Sequence, residues 1–472
     1  MNLQEFFRDE GYDISIKTNN DKNVDLWDSW YKGNVKSFHT YWVYNRPGRK
    51  VRRKKRTLQM FKKVCEDWAD LLMSDKVDIR LENEDDNEML QKLINDLKLY
   101  VIINQGIEKA FALGTGALIF SIKGLKTDGE QLIVGENTEP FVEFVDAKKV
   151  IPLSWSNEDV TECAFVNYKT EQGIKYIYIS MHVLDNNNEY VIKNFKFRYD
   201  NKKMYASEDD NILDKFETHS KIPWFTIIKP NICNNYEDDS PFGISVCANS
   251  IATLMNIDDI YDCKDLEVML GKRRTFVSED LLTYDEGKEQ YVFDPNDISV
   301  YVLPKGFNKD MLIQSDNDDL RTDKMINDLN NELDVLSSKV GFGQEHYSFN
   351  NREIQTATEV ISQNSDMYRT IKKHELLLEA NLKQFFKALI QGCNMIKYND
   401  YEFKNDEVII DFDDSIIEDK GTELQRAQNN VGLGLLSKKT YLIDYLGYSE
   451  DEAIKELENI DNEKEKITTE IF

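Results

Sequence analysis

The chain has 472 residues, a formal net charge of −27 at pH 7, 41% hydrophobic residues and 31% charged residues. These proportions are those of a globular protein, of about three domains on length alone, and they exclude a disordered or fibrous chain. The acidic balance argues against simple attraction to nucleic acid or to an anionic membrane surface. No apolar run is long enough to predict a membrane-spanning helix, and the start, MNLQEFFRDEGYD, has no signal-peptide core, so no export is expected.

The cysteines and histidines have no metal-binding or catalytic spacing. The six cysteines are scattered without a C-x-x-C pair, which is typical of reduced, mostly buried thiols. The five histidines form no H-E-x-x-H or comparable pattern. We therefore expect no metal and no cofactor.

The first 110 residues are predicted to be mainly helical and rich in aromatic residues, of which Trp27, Trp30 and Trp42 are expected to lie mostly in ordinary core. A dense basic run, RPGRKVRRKKR at residues 46–56, interrupts this region. Such a run is typical of a phosphate-binding patch. Two alternatives stay open: a solvated loop leading into a helix from about Thr57, and a contact with an acidic neighbouring subunit.

Residues 114–205 change to a strand pattern. AFVNYK, IKYIYISMHVL and EYVIKNFKFRY alternate or run apolar and aromatic, with DNNNE as a hairpin-like break. GTGALIF looks like part of a phosphate loop, but no G-K-[ST] occurs anywhere, so a Walker A motif is excluded.

Two long helices with a small insert between them are predicted next. Pro241 and Gly243 punctuate the entry to the first helix, which runs to about Leu270. An α/β insert of about fifty residues follows, containing the strand-like runs QYVFD and ISVYVL. The second helix begins near Asp318, and its apolar positions step by three and four in a heptad-like seam; they are Ile326, Leu329, Leu333, Leu336 and Val340.

Three carboxylates, Asp258, Asp262 and Asp265, are spaced to share one face of the first long helix. Such a stripe either binds a divalent ion or, as we favour, forms a solvated or channel-facing surface.

The stretch GFGQEHYSFNN at 341–351 separates the second helix from another long helical pattern. Asn350 and Glu353 have capping-box spacing, so a new helix is predicted to start there and to run to about Ile396. His346 has no identifiable catalytic partner. A strand at VIIDF follows, then helices capped by Ser437 and by Ser449 with Glu452.

The best candidate for catalysis is DFDDS, where Asp411, Asp413 and Asp414 lie at a strand end, as in two-metal nucleases. No further ligands are identifiable. A metal-dependent nuclease is therefore the alternative function, and a scaffold that binds helices through the 326–340 seam is a third.

Several stretches together resemble the portal proteins of tailed bacteriophages, in particular those of long-tailed phages of Gram-positive hosts. They are WYKGNVKSFHTY, IPWFTIIKPN, SPFGISVCANSIATLMNIDDIYD, LEVMLGKRRTFVSEDLL, TATEV and GLLSKKTYLIDYLGYSEDEA. They occur in the order expected of that family and span nearly the whole chain.

The resemblance implies an α+β portal fold with long stem and wing helices, a β-rich wing module and a small α/β clip. The implied divisions are a wing at 1–240, stem helices at 241–270 and 318–338 around a clip at 271–317, a tunnel loop at 339–351, a long wing or tunnel helix at 352–400 and a crown region at 401–472.

The resemblance also implies a non-enzymatic ring, usually of twelve subunits, at one capsid vertex of the virion. Double-stranded DNA would pass through it, without sequence specificity, during packaging and ejection. The implied partners are the terminase large subunit, then a head–tail adaptor, together with major capsid and scaffolding proteins, after assembly in the host cytoplasm and without a membrane. ATP hydrolysis would belong to the terminase, in agreement with the missing phosphate loop.

Site residues follow from the same resemblance. Arg273, Arg274 and Lys305 would dock partners at the clip, and Ile326, Leu329, Leu333 and Leu336 would pack the stem. The DNA-facing tunnel loop would comprise Gly341, Phe342, Gly343, Gln344, Glu345, His346, Tyr347, Ser348, Phe349, Asn350 and Asn351.

Physical chemistry is compatible with this hypothesis. An acidic channel repels phosphates and lets a duplex slide, and the loop glycines give the backbone freedom. Neutral groups such as Gln344, His346 and Tyr347 would bind phosphates without strong charge attraction.

Overall fold

The fold is taken from a computed structural model of the chain. It describes residues 1–472 except 45–47, 74–76, 129–130, 136, 158, 202, 208–212, 271–273, 279–282, 286–289, 293–299, 304–312, 317–319, 350–356, 413–426, 447, 450–451, 458 and 460–472. Within 126–132, 269–319 and 357–365 only the backbone of helices and strands is described.

Helices dominate the first 113 residues and the second half of the chain. They are α1 Leu3–Asp9, α2 Ser15–Tyr31, α3 Lys36–His39, α4 Met60–Leu72, α5 Glu84–Asp96, α6 Leu99–Leu113, α7 Ile251–Leu270, α8 Thr322–Val340, α9 Ala357–Ile396 and α10 Lys438–Asp444. The predicted helical start is confirmed, as is the end of α9 at Ile396. Its predicted capping box at Asn350 and Glu353 lies outside the described residues.

Strands form a central module and a smaller group between α7 and α8. They are β1 Thr40–Tyr44, β2 Lys50–Lys54, β3 Asp78–Arg80, β4 Gly116–Lys123, β5 Lys126–Asp128, β6 Gln131–Ile133, β7 Glu139–Asp146, β8 Val150–Ser156, β9 Asp159–Glu171, β10 Ile174–Leu184, β11 Tyr190–Asp200, β12 Lys203–Ala206, β13 Lys215–Glu217, β14 Phe225–Ile228, β15 Arg274–Ser278, β16 Thr283–Asp285, β17 Gln290–Val292, β18 Val300–Leu303, β19 Ile313–Asp316 and β20 Ile409–Asp411.

The β-rich module at 114–205 is confirmed as two packed sheets. One sheet has the order β12-β11-β10-β9-β8 with β13 beside β11, and the other has the order β14-β4-β7. Apolar side chains between the sheets, among them Ile119, Phe165 and Phe225, form one core cluster. Helix α1 covers the opposite face of the larger sheet with Phe6 and Phe7. Along β10, buried Ile177, Ile179, Met181 and Val183 alternate with mostly half-buried positions and line the face that α1 covers.

A larger helical core joins α2, α4, α6 and α9 to the N-terminal part of α7 and the C-terminal part of α8. Trp68, Phe385 and Phe386 are fully buried within it. Helix α6 ends at Gly114, whose φ of 82° is readily adopted only by glycine. A Cβ there would lie 2.6 Å from the Gly243 carbonyl oxygen, so this close approach of the chain before α7 requires glycine at position 114.

Helices α7 and α8 are antiparallel, and the strand-rich insert lies between them in the chain. The Lys339 ammonium donates to Thr253 Oγ1 (3.1 Å), Asn256 Nδ2 to Glu332 (3.4 Å), and the Arg321 guanidinium pairs with Glu267 (2.9 Å). The two predicted helices are thus confirmed, although α7 begins at Ile251, later than the predicted 241. Residues 248–250 form a 3-10 turn before it. In the insert, β15 pairs in parallel with β18 and antiparallel with β19.

Two predicted caps near the end of the chain are confirmed. Ser437 Oγ accepts the Thr440 amide (3.0 Å) at the start of α10. The Ser449 amide donates to Glu452 (3.0 Å), which is half of the predicted capping box, and Ser449 Oγ accepts the Glu452 amide in return. All six cysteines are free, and four of them are buried. Across the described helices, none combines the length and apolarity that a bilayer crossing needs.

Candidate functional site

The loop after α8, residues 341–349, is here called the junction loop. It begins at Gly341, where φ of 92° ends the helix in the left-handed region. The Phe342 amide then bonds back to the Ser337 carbonyl (2.9 Å). A Cβ on Gly341 would lie 2.6 Å from Thr370 Cγ2 of α9, so glycine also permits close contact between the loop and that helix.

Aromatic stacking holds the first half of the junction loop against the helical core. Phe342 is 3% exposed and stacks on Trp68 of α4, with 4.6 Å between ring centroids. His346 stacks on the opposite face of Phe342 at 4.4 Å. Trp68 Nε1–H also donates to the Val340 carbonyl (3.2 Å). We call Trp68, Phe342, His346, Tyr347 and His374 the aromatic anchor.

Hydrogen bonds fix the second half of the junction loop. The Tyr347 hydroxyl donates to Asp67 (2.7 Å), and the Tyr347 amide donates to Ser337 Oγ (3.2 Å). The Phe349 amide donates to Asn330 Oδ1 (2.9 Å). Burial, followed by the Asp67 carboxylate, raises the pKa of Tyr347 far above its usual range, so the phenol remains a donor.

The eleven residues predicted to face DNA therefore fall into four groups. Phe342, His346 and Tyr347 pack within the aromatic anchor. Gln344, Glu345 and Phe349 are exposed, Phe349 by 58%. Gly341, Gly343 and Ser348 are half-buried, and Asn350 and Asn351 lie outside the described residues.

Three of the four predicted stem-packing residues are buried in a core cluster that α8 shares with α7 and other elements. Leu329, Leu333 and Leu336 are buried with Leu254 and Ile257 of α7 in the same core cluster, and Ile326 is half-buried. The burial of these leucines is confirmed, and their role in packing the stem stays a prediction.

The basic run forms much of a β-hairpin, an element that was not predicted. Strands β1 and β2 pair antiparallel from Thr40 opposite Lys54 to Tyr44 opposite Lys50. The signal was present, since TYWVY and KVRRK flank a Pro-Gly turn pair in residues 40–54. The solvated-loop alternative is therefore wrong for the part of the run in β2.

The hairpin and the residues that flank it bind the acidic side of α7. Asp258 is 4% exposed and accepts from His39 Nε2 (2.9 Å) and from the Leu58 amide (2.8 Å). Since His39 Nδ1 accepts the Val35 amide, its Nε2 carries the hydrogen. Asp262, also 4% exposed, accepts from the Arg56 amide (3.0 Å) and the Tyr41 hydroxyl (3.1 Å).

Ion pairs extend this contact, which we call the carboxylate clasp. Arg53 lies 3.7 Å from Asp262, Lys55 lies 2.5 Å from Asp259 and Arg56 lies 3.0 Å from Asp265. The expectation of a solvated or channel-facing surface is thus wrong for Asp258 and Asp262, because their carboxylates are buried under the hairpin. Backbone amides and side-chain donors occupy the positions that a cation would need.

Arg273 and Lys305 lie outside the described residues, and Arg274 begins β15 with only its backbone described. Their docking role stays a prediction.

Of the three carboxylates proposed for a nuclease, Asp411 is the one within the described part of the chain. Asp411 is exposed at the end of β20 and pairs with Arg80 of the adjacent strand β3 (2.6 Å). Asp413 and Asp414 lie outside the described residues. Among the residues that are described, no group of three or more His, Cys, Asp or Glu is arranged to hold a metal ion.

The described geometry defines an α+β protein built around an antiparallel helix pair, with a strand-rich insert at one end and an anchored loop at the other. The chain belongs to the phage portal protein family, SPP1 Gp6-like, whose family model matches residues 11–470. It is therefore a bacteriophage portal protein, a component of the virion that assembles as an oligomeric ring. The nuclease alternative gains no support.

A solved structure described as the neck of a native GTA particle computed with C12 symmetry is also similar. It shares 10% identity over 89% of this chain and 99% of that chain, with a TM-score of 0.39. At that level the likeness adds nothing to the family assignment. No curated protein matches the chain.

Proposed function

We propose that α7 and α8 form the stem of the portal ring and that the junction loop narrows its channel for double-stranded DNA. The observation that carries this proposal is the position of the loop. It follows the stem helix directly, it is fixed by the aromatic anchor, and it leaves Gln344 and Phe349 exposed. A guide of this kind is a fixed ridge with exposed tips, and it does not need to move with the duplex.

Low friction would come from charge. With a net charge of −27, the chain repels phosphates over much of its surface, and tight phosphate binding would stall a sliding duplex. The exposed loop residues Gln344 and Phe349 carry no positive charge. They would guide the duplex by steric contact and weak polar contact.

The finer placement follows the same proposal. The ring would have twelve subunits, form in the host cytoplasm and occupy one capsid vertex among the major capsid and scaffolding proteins. Residues 271–317 would form the clip that meets the terminase large subunit and then the head–tail adaptor. Residues 1–240 and 352–400 would form the wing and 401–472 the crown. The chain would have no enzymatic activity of its own.

Adding positive charge at the loop tests the channel. The double variant Q344R/F349R should assemble rings yet slow DNA packaging, because two new cations per subunit would bind phosphates. The slowing should weaken at higher salt. The matched controls are Q344A/F349A, which removes the side chains, and Y168R/Y205R, which adds the same charge at exposed positions of the β-rich module. Packaging by Q344R/F349R rings at the wild-type rate at low salt would contradict the proposal.

Partner docking has a separate test. R273E/R274E should leave rings intact but reduce binding of purified terminase or adaptor, because charge reversal at an interface opposes the original partner. Unchanged binding of both proteins would contradict a role for these residues.

Incubating wild-type rings with ATP, or with plasmid and Mg²⁺, should give no hydrolysis and no cleavage.

A further inference from the structure

The hairpin has a second face, which the carboxylate clasp does not use. In the antiparallel register, Trp42 lies opposite Arg52, Tyr44 opposite Lys50 and Thr40 opposite Lys54. Directly paired residues project to the same side of a two-stranded ribbon. We call Trp42, Tyr44, Lys50, Arg52 and Lys54 the outer face.

The outer face is open to solvent in the single chain. Trp42 is 57% exposed and Tyr44 is 73% exposed, and Lys50, Arg52 and Lys54 are exposed as well. The Lys50 ammonium lies 5.0 Å from the centre of the Trp42 ring. Within the part of the chain that the structure describes, neither Arg52 nor Lys54 has a carboxylate partner. Exposed Trp, Tyr and Arg side chains in one patch have the composition of a protein-interface hot spot.

The clasp shows what kind of surface this hairpin fits. Arg53 of the hairpin, with Lys55 and Arg56 just after it, already binds a row of carboxylates on a helix. The chain has 86 acidic residues and 59 Lys and Arg, so a second copy presents mainly acidic surface to any contact. In a cyclic ring each subunit meets the next through two different surfaces, and a basic patch facing an acidic one closes such an interface.

Symmetry indicates where the acidic partner surface lies. Rotation about the ring axis does not change a residue's position along that axis. The hairpin of one copy therefore meets a part of the next copy that lies at the same position along the axis. If the helix pair runs along the axis, as proposed above, that position is set by residues 258–265 of α7. The contacts of Asn256 with Glu332 and of Glu267 with Arg321 place residues 321–332 of α8 beside this segment. Asp323 and Asp328 are exposed there.

We propose that the outer face of the hairpin docks on exposed carboxylates of α8 in the neighbouring copy of this chain, with Arg52 and Lys54 against Asp323 and Asp328. Trp42 and Tyr44 supply the apolar area of the contact. This proposal rests on the ring of the proposed function.

Charge exchange between two variants is the test. R52E/K54E and D323K/D328K should each lower the fraction of protein in rings roughly tenfold, because like charges then face each other. In an equal mixture, each altered surface meets an opposite charge, so alternating rings should form to near the wild-type level. Ring fraction is measured by size-exclusion chromatography with light scattering and by negative-stain imaging.

Controls separate the possible failures. K175E/K203E reverses two exposed cations of the β-rich module and should form rings normally. Circular dichroism of each single variant should match the wild type, and recovery in the mixture would itself show that both variants fold. If R52E/K54E formed rings to the same extent as the wild type, the hairpin contact would be contradicted and the ring of the proposed function would stand. Absence of rings from the wild type would contradict the ring and, with it, this contact.

Two other results would overturn the proposal. No recovery in the mixture would exclude α8 as the partner surface. Normal rings of R52E/K54E that lose binding of a labelled DNA duplex, measured by fluorescence anisotropy, would assign the outer face to nucleic acid.

Discussion

Two segments are attached to the α7–α8 helix pair by opposite kinds of chemistry. The junction loop is held by stacked rings, with Phe342 between Trp68 and His346. The hairpin is held by carboxylates, with Asp258 and Asp262 buried beneath it. The apolar contact gains free energy from each ring that leaves water. Buried carboxylates gain little in net terms, but they cost much when a donor is removed, so they mainly fix one geometry.

The difference has consequences for function. A loop that narrows a channel must keep its shape while a duplex passes, and ring stacking is little affected by salt. A hairpin at a subunit boundary needs a defined register, which directional hydrogen bonds to Asp258 and Asp262 provide. The four predictions below test this contrast, from the largest expected effect to the smallest.

Removing the central ring of the aromatic anchor should have the largest effect. Phe342→Ala takes a buried ring from between two others, so we expect a loss of about 3–5 kcal/mol in the free energy of unfolding. Urea denaturation followed by circular dichroism measures it. Phe349→Ala, in the same loop but exposed, should change the stability by less than about 0.5 kcal/mol. Equal effects of the two substitutions would contradict an anchored loop.

Removing a buried carboxylate of the clasp should have the next largest effect. Asp258→Ala leaves the His39 ring N–H and the Leu58 amide without their acceptor, at a cost of about 2–3 kcal/mol. Asp259→Ala, which removes only a half-exposed ion pair with Lys55, should cost less than about 1 kcal/mol. A cost of Asp258→Ala no larger than that of Asp259→Ala would show that the hairpin does not depend on its buried hydrogen bonds.

The aromatic anchor should also be sensitive to acid through His374. This residue is packed against Trp68, its Nδ1 accepts the Asn231 amide, and burial, with a smaller contribution from Lys373, lowers its pKa to about 3. An unfolded histidine titrates near 6.5. The unfolded state therefore binds more protons between these pH values, and stability falls as the pH drops below about 6.5.

Between pH 7 and pH 5, His374 should lower the free energy of unfolding by about 2 kcal/mol. His374→Gln keeps a hydrogen-bond acceptor but has no proton to gain. Its loss of stability over the same pH range should therefore be smaller than that of the wild type by this amount. Parallel pH profiles of the two proteins would mean that His374 is accessible to protons in the folded state.

The sequence alone predicts much of the fold and less of the site. Periodicity identified the β-rich module and the α7–α8 pair, because their apolar positions follow local rules that do not need the rest of the chain. It also predicted that Leu329, Leu333 and Leu336 share an apolar face of α8, and all three are buried. The aromatic anchor was not predictable in this way, since Trp68 and Phe342 are 274 positions apart and no local pattern links them.

The carboxylate clasp was missed for a related reason. Each half was noticed, the basic run at 46–56 and the acidic face of α7, but each was interpreted by itself. Opposite charges in two distant segments predict a contact only when the fold brings the segments together. The hairpin itself was missed because the charge density of β2 concealed a strand in which Arg53 approaches Asp262 of α7 while Lys50, Arg52 and Lys54 are exposed.

The smallest expected effect concerns the outermost ion pair of the clasp. Arg56→Gln removes the pair with Asp265, in which the arginine side chain is 61% exposed, but keeps the Arg56 amide bond to Asp262. Since water and salt screen such a pair, stability should change by less than about 0.5 kcal/mol, and the change should vanish in high salt. Asp262→Asn, on the same helix face but buried, should cost more, and its cost should persist in salt. Urea midpoints at two salt concentrations measure both. If Arg56→Gln lowered stability as much as Asp262→Asn, exposed ion pairs would hold the hairpin as strongly as buried hydrogen bonds do. The clasp would then not depend mainly on its buried carboxylates.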